Sequence, residues 1–190
     1  MGKQKKHQDC DCTCAFVPSP MLTVDDMRVS AKSTRTWKIF LAPGDLYGVT
    51  QADWQRLVMQ AFSDLSKISL TTFPRVPTTR GARTRIYPAT NEMMWKWFPE
   101  YKKANPQLVP LMARKGNMIY LASEPTPSGR YRWGVESQGL VIGSTKHEFG
   151  HVLGLKHTTN VTSIMHAKLT SVTMNPTDIT NFQRRLGKPK

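Results

Sequence analysis

The feature that most constrains this 190-residue chain lies near its C-terminus, between Ser144 and His166. There His147, Glu148, His151, Gly154 and His157 spell H-E-x-x-H-x-x-G-x-x-H, and Met165 follows eight residues after the last histidine. Residues four apart lie one above the other on a helix, so His147 and His151 present both imidazoles on one face. Two nitrogen donors from one rigid turn suit a tetrahedral zinc, which in a catalytic site takes a third protein ligand and keeps a position for water. Three residues beyond His151 the chain must leave the helix sharply, and Gly154 reaches positive φ without steric cost. His157 can then swing back as the third ligand. Glu148 follows the first ligand, where a carboxylate can take a proton from a zinc-acidified water.

The whole stretch resembles the metzincin metallopeptidases, whose signature is this extended motif followed by a methionine-containing turn. Within that clan it is most similar to the matrixins. Thr158 stands after the third histidine where matrixins carry serine, and the interval from His157 to Met165 fits their pattern. Asp178, Ile179, Phe182, Gln183 and Gly187 resemble the family's C-terminal helix. The resemblance implies an α/β (α+β) zincin-like domain: a twisted mixed sheet backed by helices, with an active-site helix and a C-terminal helix. It also implies one catalytic zinc, Met165 as a hydrophobic floor beneath it, and Asp178 hydrogen-bonded to the methionine turn.

Upstream, the similarity is one of element order. At this length, with 39% hydrophobic residues and five tryptophans, the chain can bury a core as one domain. We expect a flexible, basic, cysteine-containing tail over residues 1–30 and a catalytic domain over 31–190. Residues 36–41 read as a first strand. Thr50 caps a helix from Gln51 whose stripe is Trp54, Leu57, Val58, Ala61, Phe62 and Leu65. Strands follow over 68–73 and 84–87, with a Pro/Arg-rich loop between them. Trp95, Trp97, Phe98 and Tyr101 fall in an inserted helical stretch, where they could line a binding cleft but are expected to pack. Residues 117–122 form a further strand. Either it or the 133–135 segment would be the sheet edge beside the cleft, where an extended peptide can pair. Residues 139–143 lead into the active-site helix, capped by Ser144 or by Thr145 in a capping box with Glu148. The last helix starts at Asn175-Pro176 and stops at Gly187.

Charge limits the partners. A formal net charge of +14 and a pI near 10 attract polyanions, but the cations run from Lys3 to Lys190 without a nucleic-acid motif. Generic basicity is therefore expected rather than specific readout. No apolar run is long enough for a membrane span, and the N-terminus lacks the apolar core of a signal peptide, so cytoplasmic synthesis is expected. A monomer is expected as well. Cys10, Cys12 and Cys14 could cap the zinc in a latent form or clip a second metal. Their odd number and non-ribbon spacing favour free thiols on the tail.

The sequence departs from the family in several places. Besides the motif histidines it holds only His7 and His166, which leaves none upstream in the domain for a second, structural zinc. Asp/Gly-rich calcium loops and the propeptide cysteine motif are likewise not evident. His166 stands where matrixins often have tyrosine and is expected to be exposed. The expected function is a zinc endopeptidase with an extended peptide as substrate. The alternatives are a basic polyanion-binding protein on a peptidase scaffold and a hydrolase of cell-wall peptides.

Overall fold

A computed structural model describes residues 35–104, 107, 109–127, 129, 138–169 and 171–189. Residues 1–34, with the three cysteines and the expected tail, and the 133–135 segment lie outside them.

The architecture is a mixed sheet with helices on both faces. Its strands are β1 (Arg35–Thr36), β2 (Ile39–Leu41), β3 (Thr71–Thr72), β4 (Arg75–Val76), β5 (Thr84–Ala89), β6 (Met112–Lys115) and β7 (Met118–Ala122). The main sheet runs β4-β2-β5-β7-β6, parallel except for the antiparallel β6 at its edge, and β1 pairs with β3 in a separate parallel ribbon. The helices are α1 (Gln51–Ile68), α2 (Asn91–Trp97), α3 (Pro99–Ala104), α4 (Gln138–Val152) and α5 (Pro176–Leu186).

Side-chain alternation in the strands builds two cores. Ile39, Leu41, Ile86, Ile119, Leu121 and Met112 face α1 and α4, where they pack with Trp54, Phe62 and Phe149. Phe149 is held edge-on by Phe62, Phe73 and Trp37, with ring centroids 5.0–5.5 Å apart. On the other face Tyr120, Ala113 and Ala89 pack with Met94, Phe98 and Tyr101 of the α2–α3 insertion. Trp97 lies 4.3 Å from the Tyr120 ring. The aromatic insertion is thus a cover for one end of the sheet. Burial, reinforced by Tyr87, holds the Tyr120 phenol above its ordinary pKa, and its hydroxyl donates to Met118 Sδ.

Local chemistry explains the element ends. Thr50 Oγ1 accepts from Asp53 N at 3.2 Å and starts α1. Asn175 and Asp178 form a full capping box on α5, with Pro176 at its first position. Three expectations need correction. The single strand expected over 36–41 divides into β1 and β2. Trp37 N still donates to Thr72 O, but Pro74 has no N–H with which to continue the ladder. The strand expected from Ile68 shrinks to Thr71–Thr72, because the apolar stripe of α1 carries the helix through Ile68. The active-site helix begins at Gln138, not at a cap on Ser144 or Thr145. Both of those lie inside it, where the Thr145 hydroxyl donates to Val141 O. Gly143, which reads as a helix breaker, is a packing contact instead: a Cβ there would come within 2.9 Å of Val172 Cα.

Helices α1 and α4 are joined by a buried ion pair. Lys146 Nζ lies 2.7 Å from Asp64 Oδ2, and Asp64 also accepts from Gln60. Removing the carboxylate strands an ammonium beside the motif helix, whereas removing both charges does not. Since Asp64 is partly exposed, Asp64→Ala is expected to cost about 2 kcal/mol, below the usual range for fully buried pairs. Chemical denaturation should show that adding Lys146→Met to Asp64→Ala recovers most of the loss.

Candidate metal centre

Helix α4 is buried on all sides from Gly143 to Gly150, so the motif residues sit inside the domain. His147 is 2% exposed and Glu148 4%, while His151 and His157 are half-buried and bring the cluster to the surface. The helix ends in a Schellman turn. Gly154, at φ +82°, lets its own N–H reach His151 O and the Leu155 N–H reach Gly150 O. The same turn carries the Leu155 carbonyl back over His151, whose Nδ1 lies 2.8 Å from it. His147 Nδ1 lies 2.7 Å from Ile164 O. A carbonyl can only accept, so in both rings Nδ1 carries the proton and the Nε2 lone pair is left to point outward.

All three Nε2 atoms converge. His151 Nε2 lies 3.1 Å from those of His147 and His157, and the latter two are 3.4 Å apart. Tetrahedral zinc with Zn–N bonds of about 2.0–2.1 Å holds its nitrogens about 3.3 Å from one another, so the spacing fits. The donor set fits as well, being three imidazoles, two of them held from behind at Nδ1. Among the described residues no fourth His, Cys, Asp or Glu joins this group, which includes neither Glu148 nor His166. Glu148 is the next residue after His147 on α4. His166 is half-buried rather than exposed, and its Nδ1 accepts from Lys168 N at 3.4 Å.

A polar brace holds the turn beneath the histidines. Asp178 is 1% exposed, and one of its oxygens accepts from Ile164 N at 2.9 Å and from Asn175 N at 3.0 Å. Its other oxygen accepts from Ser163 Oγ. Ile164, whose N–H donates to Asp178, therefore holds His147 at its carbonyl, which links the start of α5 to the first histidine. Met165 is buried under α4, and Thr158 N closes the loop on Met165 O. Sequence reasoning missed Gly150 here. A Cβ on it would collide with Met165 Sδ, so this glycine lets the methionine lie directly against the helix between the two histidines. The signal was present as the third residue after His147, but glycine in a helix reads as a cost until its neighbour is known. On the far side of the turn a cavity of about 330 Å³ is lined by Lys156, Asn160, Asn181 and Arg185 among others, and none of the three histidines borders it.

The cleft edge also differs from expectation. Residues 117–122 are an interior strand, because β7 pairs with β5 on one side and β6 on the other. Among the described residues the edge next to α4 is β6, which the sequence did not reveal, and the 133–135 alternative lies outside them.

Comparison with known families decides the affiliation: the family model described as Matrixin matches residues 29–184. This chain belongs to the matrixin family. Its cofactor is accordingly zinc, and its general activity is that of a zinc metallopeptidase. No curated protein matches this matrixin by sequence. Among solved structures it is similar to archaemetzincin from Methanopyrus kandleri, with 13% identity over 82% of this chain and 97% of the other, at a TM-score of 0.46.

The brace gives a prediction for this matrixin. Groups that orient a metal-bound histidine typically contribute tenfold to a hundredfold in metal affinity. Asp178→Asn keeps the shape but offers Ile164, Asn175 and Ser163 a weaker acceptor. Competition against a chelator should show zinc held about tenfold less tightly or worse, with the helix content by circular dichroism retained.

Proposed function

We propose that this matrixin is a zinc endopeptidase in which His147, His151 and His157 hold the metal and Glu148 carries the proton. The observation that supports this most is the approach of three Nε2 atoms to within 3.1–3.4 Å at a half-exposed position, with a buried carboxylate on the next residue of the same helix. A zinc held there supplies a Lewis acid for the scissile carbonyl and acidifies a water at neutral pH.

The chain's own groups do the rest. Glu148 accepts the proton of the attacking water and then passes it to the amine nitrogen of the departing product, so one carboxylate serves as base and acid in turn. Its place on a helix buried on all sides fixes it relative to His147. The Asp64–Lys146 pair and the Asp178 brace keep that helix and the Met165 turn in register, so Gly154, Met165 and Asp178 act as supports rather than reactants.

Substrate binding follows from the sheet. As the edge strand beside α4, β6 offers main-chain groups to which an extended peptide can add as a further strand. Pairing of this kind reads the backbone on both sides of a bond and needs no free terminus, which is the basis for inferring an endopeptidase. We place the catalytic unit at residues 31–190, with the first 30 residues outside it.

The test is Glu148→Gln, which keeps the shape and removes the base. Turnover of a peptide library should fall about a thousandfold, within the usual range for a general base, while zinc analysis still finds one ion per chain. Proteolysis at the wild-type rate in that variant would rule the mechanism out.

A further inference from the structure

The sheet face turned away from α1 and α4 carries cations beside apolar side chains. Strand register places Phe40 of β2, Arg85 of β5, Met118 of β7 and Lys115 of β6 in one row across four strands. Cross-strand partners share a face, and Met118 packs with the α2–α3 core, so this row lies on the face turned away from α1 and α4. Tyr87 stands in the next row beside Tyr120, its ring 5.8 Å from Tyr120 and 6.0 Å from Phe40. Phe40, Arg85, Tyr87 and Met118 are half-buried, and Lys115 is exposed.

Arg85 and Lys115 are the cations of this row, and no strand among the described residues contains an acidic residue. None of the ion pairs found among the described residues involves Arg85 or Lys115.

We propose that this face binds single-stranded nucleic acid without sequence readout. Phosphates would pair with Arg85 and Lys115, and bases would lie against Phe40 and Tyr87. Alternating cations and aromatic rings suit a polymer that itself alternates anions with flat π-faces, and a sheet is a common platform for such binding. The face is separate from the histidine cluster, so the proposal does not depend on the peptidase reading.

The test uses the full chain and a fluorescein-labelled 20-nucleotide oligo-dT, with binding read by anisotropy between 50 and 200 mM salt. Each phosphate contact on a single strand contributes about 0.7 to the slope of log K against log salt. The pair Arg85→Glu and Lys115→Glu should lower the slope by about 1.4 and the affinity about tenfold. The equal charge change Arg184→Glu with Lys188→Glu, placed on the C-terminal helix and the residues after it, should lower neither as much. Phe40→Leu should weaken binding severalfold and leave the slope alone. Lys115→Glu by itself, at an exposed site, covers the case in which the double variant does not fold. Equal losses from both charge pairs would overturn the proposal in favour of diffuse attraction by the tail and surface. Unchanged oligo-dT binding in Phe40→Leu, with dextran sulfate bound as tightly as oligo-dT, would overturn it in favour of acidic polymers in general.

Discussion

Three imidazole nitrogens within 3.4 Å of one another are a constraint that most of this domain serves. Lone pairs aimed at a common point repel, and protons there would clash. Such an arrangement is comfortable only around a cation. What keeps it in place is a set of contacts behind the rings. Leu155 O and Ile164 O fix two tautomers, Asp178 fixes Ile164, and the α5 capping box fixes Asp178. The elements that carry these groups are separated in sequence, and docking of the C-terminal helix completes the support of the first histidine.

Lys146 and Asp178 are buried in support of that arrangement, which is costly unless each is paired. Lys146 finds Asp64 on α1, and Asp178 finds three donors around the methionine turn. The sheet has a different role. One face supplies the apolar bed for α1 and α4, while the other meets the aromatic insertion at Ala89, Ala113 and Tyr120 and carries the Phe40–Lys115 row beyond it. The metal site and the cationic row therefore belong to opposite sides of the same sheet.

Much of this was readable before any coordinates. The motif spacing named the three histidines that come together, and the positions of Thr50, Asn175, Pro176 and Gly187 fixed the ends of α1 and α5 because capping is a local interaction. What was not readable depended on distant partners. Gly143 and Gly150 look like breaks in a helix until Val172 and Met165 are seen to press against them. Met112–Lys115 is too short and too charged to announce a strand, and only its pairing with β7 makes it the edge. The division of residues 36–41 follows from Pro74, thirty-odd residues away in the chain.

The central claim is that three histidines hold one zinc and that no further protein group completes the shell. X-ray absorption at the zinc edge of the metal-loaded full-length chain tests it most directly. The account predicts a shell of nitrogen and oxygen donors only, at about 2.0–2.1 Å, with the multiple-scattering pattern of three imidazoles. A sulfur at about 2.3 Å, brought by Cys10, Cys12 or Cys14, or a fourth imidazole in place of a light oxygen donor, would contradict it.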